Sequence, residues 1–180
     1  YELNDFSGII HSPFGDFDPL KDLMPLGPEN LYDSSAILRT GLVIIQSNSV
    51  DMIDLINLMD FYEYPIIDTI PDSALIVRLP IEDIFTSMSI LEKSPSVRWV
   101  EGLPIAWRVS PNLVDFSGRG GLSLDLDLTL TSDLEINELS ELESDMRRIS
   151  DSSITRNICK INICQIKGID ATWLPILAMD

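Results

Sequence analysis

Beyond residue 35 the apolar positions switch repeatedly between a strand pattern and a helix pattern. "AILRTGLVIIQ" is a continuous apolar run of strand composition, and the "SNS" after it offers helix caps. In "VDMIDLINLMDFY" Met52, Ile53, Ile56 and Met59 recur at helical spacing, with Asp51, Asp54 and Asn57 on the other side. "YPIIDTIPDSALIVRLP" holds two short strand runs broken at Pro71-Asp72. A second helix follows in "IEDIFTSMSILEK", where Ile81, Ile84, Phe85, Met88 and Leu91 share a face. Ser94-Pro95 stops it, and "VRWVE" supplies a closing strand. The order strand, helix, strand, strand, helix, strand predicts a ferredoxin-like βαββαβ unit, an antiparallel sheet with two helices on one face.

The pattern then recurs. In "LSLDLDLTLTS" the leucines at 122, 124, 126, 128 and 130 alternate strictly with polar residues, as in a half-buried strand. Ile136, Leu139, Leu142 and Met146 form a helical stripe, and "SITRNICKINICQI" is strand material. "GIDATWLPILAMD" matches the second helix of the first unit, Ile169 standing for Ile81, Trp173 for Phe85, Ile176 for Met88 and Met179 for Leu91. The offset is about 84 to 88 residues. The chain reaches Asp180 where the next strand is due, so the second unit is expected to lack its last strand and the natural chain to continue. The fold expected is α+β, two ferredoxin-like units in tandem. Val43, Ile45, Ile53, Ile56, Leu75, Val77, Ile84, Met88 and Val97 are expected in the first core. Leu126, Leu128, Leu139, Leu142, Ile161, Ile163, Trp173 and Ile176 are expected in the second.

Four segments follow from these patterns: a leader over 1–34, a first unit with its tail over 35–113, a Gly-rich linker over 114–121, and a second unit over 122–180. The leader is rich in Asp, Pro and Gly and carries Phe6, Phe14 and Phe17 without a period, so it is expected to be irregular and loosely ordered. Its "GDFDPLKD" brings Asp16, Asp18 and Asp22 together, but an EF-hand loop has Gly at its sixth position and Glu at its twelfth, and here Lys21 and Gly27 stand there. The tail "GLPIAWRVSPNL" has Pro104 and Pro111 around alternating Ile105, Trp107 and Val109 and reads as an extended segment. Either it lies free, or it is a linker whose Trp107 packs against a unit; burying an aromatic of that size favours packing.

Charge narrows the partners. The net charge of −17, from 29 acidic against 12 basic residues, repels phosphate and makes nucleic acid and anionic membrane poor partners. No apolar run approaches the length of about 20 residues that spans a bilayer. The chain opens on Tyr1 without a visible signal peptide and is expected to be a fragment or a processed product. Cys159 and Cys164, read within one strand, fall on opposite faces roughly 16 Å apart, too far to bond, and are expected to be small buried thiols. Catalysis has little to draw on. His11 is the single histidine and sits in the leader, no G-x-S-x-G elbow exists, and the glycines 118, 120 and 121 around Arg119 lack the Lys-Ser/Thr of a phosphate loop. Asp125 and Asp127 share a strand face that reads as solvated. No catalytic, cofactor-binding or metal residues are expected.

Three stretches carry a resemblance: residues 70–78 ("IPDSALIVR"), residues 94–101 ("SPSVRWVE") and residues 108–113 ("RVSPNL"). Together they resemble the N-terminal inhibitory prodomains of subtilisin-like serine proteases, in a diverged form seen ahead of some archaeal and bacterial enzymes. The resemblance covers residues 35–113 directly and the rest through the internal repeat. It implies a secreted or cell-surface protease, and a region that assists folding of the catalytic domain following in cis and inhibits it. The sheet would pack on two enzyme helices, and the tail Trp107, Arg108, Val109, Ser110, Pro111, Asn112 and Leu113 would be the candidate interaction segment. The other reading is a tandem ferredoxin-like module that binds a partner or small ligand and has no protease role.

Overall fold

Residues 8–49, 51–71, 73–117, 119–134, 136–149, 158–160 and 163–177 are described by a computed structural model of the chain. The class is α+β, with antiparallel sheets and short helices. The described residues up to Pro111 make one compact unit, and Asn112–Leu177 make a second.

In the first unit a helical turn, α1 (Ile37–Thr40), precedes the central strand β3 (Leu42–Ser47). The sequence pattern merges the two into one strand. Gly41 divides them: at φ +65° it ends α1 in the left-handed region, and a Cβ there would stand 2.5 Å from the Leu79 carbonyl oxygen. Strand β3 lies between β5 (Ala74–Arg78) and β6 (Val97–Gly102), and β4 (Ile66–Ile70) pairs outside β5, giving the order β4-β5-β3-β6 with every pairing antiparallel. Helices α2 (Ile53–Tyr62) and α3 (Ile84–Glu92) supply the apolar layer against Val43, Ile45, Leu75 and Val77.

The expected helix faces hold in part, with Met59 of α2 and Ile84, Met88 and Leu91 of α3 packed in the core. In α2 the residues turned to the sheet are Leu55 and Met59, with Met52 and Leu58 packed at the side, whereas Ile53 and Ile56 are 59% and 37% exposed. In α3 Ile84, Ser87 and Leu91 are buried and Met88 half-buried, while Phe85 is 65% exposed. Apolar residues surround both helices, so spacing alone offers two competing stripes. Packing turns Leu55 inward in place of Ile53 and Ile56 in α2, and Ser87 inward in place of Phe85 in α3.

All six residues of β3 are buried, because both faces of this sheet are covered. The second face is covered by the leader. Strands β1 (Ile10–Ser12) and β2 (Gly15–Phe17) form a hairpin with Ile10 opposite Phe17. Both side chains pack with Leu42, Ile44, Ile70, Ala74 and Leu103 into a second apolar cluster. The expectation of an irregular leader therefore gives way to a strap that completes the fold.

The second unit begins with a short helix, α4 (Pro111–Val114), whose Leu113 packs in this unit's core. Strand β7 (Ser123–Thr129) pairs with β9 (Ile163–Asp170), which pairs with β8 (Ile158–Lys160), in the antiparallel order β7-β9-β8. Helix α5 (Ile136–Ile149) sets Leu139, Leu142 and Met146 against Leu126, Ile166 and Ile169. Ile169 lies in β9, not in a helix; the second helical segment is a 3-10 turn at Ala171–Trp173 leading into α6 (Leu174–Leu177). The same succession, a 3-10 turn at Ile81–Asp83 leading into α3, occurs in the first unit. Trp173 is half-buried as part of the core, whereas Ile163 is 49% exposed, since Cys164 and Ile166 take the inner positions of β9. Ile161 and Met179, and the side chain of Ile176, lie outside the described residues.

The cysteine expectation is overturned as well. The run read as one strand is a hairpin, and the β8–β9 register sets Cys159 opposite Cys164. Cys164 is disulfide-bonded, and among the described residues no cysteine is free. With two cysteines in the chain, the bridge closes a loop of only a few residues, worth about 2 kcal/mol by restriction of the unfolded chain.

Candidate interaction segment

Where β6 runs beside β3, its register slips at Gln46/Ser47, so that Val97 and Val100 both face the helix layer. Arg98 sits at this irregularity with its side chain 13% exposed, and a guanidinium so placed requires acceptors. It donates to Gly8 O at 2.8 Å, to Gln46 Oε1 at 2.7 Å and to Asp18 Oδ1 at 2.7 Å. Gln46, fully buried after the apolar run over 42–45 of β3, completes the set by donating through Nε2 to Gly8 O at 3.1 Å. The other oxygen of Asp18 receives Lys21 Nζ at 2.7 Å. These bonds clamp the strap at the end of its hairpin.

Asp18 is held well below the usual carboxylate range, first by the hydrogen bond from Lys21 and then by that from Arg98, against an opposing effect of burial. A depressed carboxylate stabilises the fold fully above its unfolded pKa of about 4 and loses that contribution only as pH falls further, towards the folded value. Amide exchange of residues 10–17, corrected for intrinsic rates, should therefore keep the same protection from pH 7 to about pH 4 and weaken below it. In Asp18→Asn the protection should be lower at pH 7, and this acid dependence should vanish.

The candidate tail meets the other end of the strap. Residues read as extended are wound into a 3-10 turn, Ile105–Arg108, with Trp107 N donating to Pro104 O at 3.0 Å and Val109 N to Ala106 O at 3.2 Å. Ile105, Ala106 and Val109 are buried, and Trp107 and Arg108 are half-buried. Trp107 donates its indole N–H to Pro25 O at 2.8 Å and meets Phe17 edge-on at 6.1 Å, while Trp99 meets the same ring edge-on at 5.9 Å. Gly27, at φ +84°, brings the strap so near this turn that a Cβ would stand 2.5 Å from that of Ala106. Ser110, Pro111 and Asn112 are exposed, and Leu113 belongs to the second unit. Of the seven candidate residues, then, Trp107 and Val109 are packing residues of the first unit, and the exposed stretch is confined to 110–112.

The residues that pin the strap, Phe17, Asp18, Gln46 and Arg98, were not singled out from the sequence as a set. The signal was present: Arg98 and Gln46 interrupt apolar strands and call for partners, and the leader is where spare carboxylates lie. His11 Nδ1 is 2.8 Å from Asp16 across the hairpin, and Asp22 accepts from the Asp18 backbone N–H at 2.8 Å, so the leader acids serve protein donors. Among the described residues no group of three His, Cys, Asp or Glu could hold a metal ion. No described helix is long and apolar enough to cross a membrane. No protein-family model, curated protein or solved structure matches this chain.

Proposed function

We propose that the chain is the prodomain region of a secreted subtilisin-like serine protease, built as two ferredoxin-like units of which the second lacks its fourth strand. It binds and assists the catalytic domain in cis and does no chemistry itself. The observation that carries the reading is the topology of the first unit: a βαββαβ order with strands β4-β5-β3-β6 and both long helices against one face. Two of the three stretches that carry the resemblance fall on the β4–β5 hairpin and on β6, and the third runs from the end of the 3-10 turn into α4. The disulfide at Cys164 supports an oxidising, extracellular setting.

A second reading, a tandem interaction module without a protease, is favoured by a specific observation. The sheet face opposite the helices is already occupied by the strap, and the tail is wound into a turn, so neither is presented as a free binding surface. One experiment separates the two. The full chain is titrated into a purified subtilisin-like protease acting on a chromogenic peptide, with the intactness of the chain followed on a gel. Inhibition near or below about 1 μM, equivalent to about 8 kcal/mol of binding, supports the prodomain reading. An intact chain that neither inhibits nor speeds refolding of the denatured protease supports the second.

A further inference from the structure

Past the Trp107 turn the strap rises into an arch. Pro25 accepts the Trp107 bond and Gly27 closes on Ala106, after which the chain winds a 3-10 turn at Glu29–Leu31 and runs through Tyr32 towards α1. Leu31 N donates to Pro28 O at 3.0 Å and Ser35 N to Asp33 Oδ1 at 2.8 Å, so the arch is held by its own bonds. Beneath it lies a cavity of about 310 Å³. Its walls are the arch, the first residue of α1, and residues 101–105 at the end of β6 and the start of the turn that follows. That volume stands at the lower end of the roughly 300–1,000 Å³ of small-molecule sites, a size for a compact ligand and not for a length of polypeptide.

The lining divides into an apolar floor and an acidic mouth. Leu31, Ala36, Leu103 and Ile105 are buried side chains of the floor. Asp33 and Glu101 are the charged groups of the lining, and no Lys, Arg or His stands among its described residues. Asp33 is engaged already: it accepts from Ser35 N and from Ser35 Oγ at 2.7 Å and pairs with Arg39. Glu101 is exposed, and its Oε1 accepts from Gly102 N at 3.0 Å, which leaves Oε2 for another donor. Tyr32, 56% exposed, adds to the same lining an aromatic ring, a group that favours a nearby cation. An anion would meet two carboxylates here, in a chain of net charge −17.

We propose that this cavity binds a small primary amine carried on an apolar body, about ten non-hydrogen atoms in all. The ammonium group donates to Glu101 beside the Tyr32 ring, and the hydrocarbon lies on Leu31, Leu103 and Ile105. Because one wall belongs to the strap and the other to β6 and its turn, the occupant joins the two. The inference concerns a small ligand of the first unit and holds whether or not the protease reading does.

The test uses the full chain and 2-phenylethylamine, with binding followed by amide chemical shifts. Saturable binding with a Kd below about 1 mM is expected, with shifts concentrated in residues 24–37 and 101–105. 2-Phenylethanol and phenylacetate, of the same shape without the positive charge, should bind at least tenfold more weakly. So should ethylamine, which lacks the apolar body, and Phe-Gly-Gly, which presents the same amine and ring at the end of a peptide. Glu101→Gln, at an exposed position, should lose at least tenfold for the amine and little for the alcohol. Leu26→Trp, checked by circular dichroism, should fill the mouth and weaken both. Equal binding of ethylamine, or shifts spread over the acidic surface, would reduce the effect to diffuse charge attraction and overturn the proposal. So would an unchanged affinity in Glu101→Gln, equal binding of the peptide, or no saturation by the amine.

Discussion

Val77→Asp is expected to remove about 4 kcal/mol or more of stability from the first unit, enough to abolish its cooperative unfolding transition. Val77 is fully buried in β5, opposite Val43 on one neighbouring strand and Ile66 on the other, and the buried residues of its cluster are aliphatic apart from Met59. A carboxylate there would find no donor and would lose its hydration. Ile53→Asp is the matched control. Sequence spacing puts both residues in the core, but Ile53 projects from the first turn of α2 and is 59% exposed. A carboxylate near a helix N-terminus is tolerated or mildly favourable, so the change should stay within about 0.5 kcal/mol. Urea unfolding followed by circular dichroism measures both. Equal losses would mean that the helix packs with its other face inward.

The second large effect belongs to the strap. Phe17→Ala should cost about 3–5 kcal/mol at its site, because it empties a buried ring that two tryptophans meet edge-on. The strap can respond by lifting from the sheet, which limits the loss to the free energy of its docking. Exchange should then rise sharply for residues 10–17, and the uncovered Leu42 and Ile44 should bind a hydrophobic dye. Protection of β3 and β5 should fall less. Unchanged exchange in the hairpin would show that Phe17 is not its anchor. Trp107→Ala, which removes the hydrogen bond to Pro25 and one of the two ring contacts, should act in the same direction and more weakly.

What could be read in advance divides along physical lines. The alternating leucines of β7 were legible because a half-buried strand has one solution, and Leu126 is buried as that solution requires. The face of α2 was legible only in part: Met59 is buried as its spacing requires, but Ile53 and Ile56 compete with Leu55, and only the sheet decides between them. The strap was not legible either. Its strands are three residues long, too short for a period, and it is held by single anchors whose partners lie far along the chain. Its trace lay elsewhere, in the apolar run over 42–45 of β3, which demands cover on both faces. The pairing of the cysteines turned on one local choice, a strand or a hairpin over ten residues, and that choice moves Cys159 from a remote position to one opposite Cys164. In the candidate tail, the two prolines were compatible with helical turns as much as with an extended segment. Burial of Ile105 and Val109 fixed the outcome.

The strap also has a consequence in time. Its bonds from Arg98 to Asp18 and Gly8 join residues 80 and 90 positions apart, and the bond from Trp107 to Pro25 spans 82. At translation rates of about 5–20 residues per second, the leader waits roughly 4–18 seconds after its own synthesis for the residues that will receive it. Through that interval Phe17 and Ile10 have no sheet to lie on, and the four-stranded sheet cannot be covered before β6 and the Trp107 turn exist. Docking of the strap is therefore the closing step of the first unit, a long-range contact made after the local hairpins and helices. A newly made chain passes through a stage in which its most apolar strand is assembled and still bare.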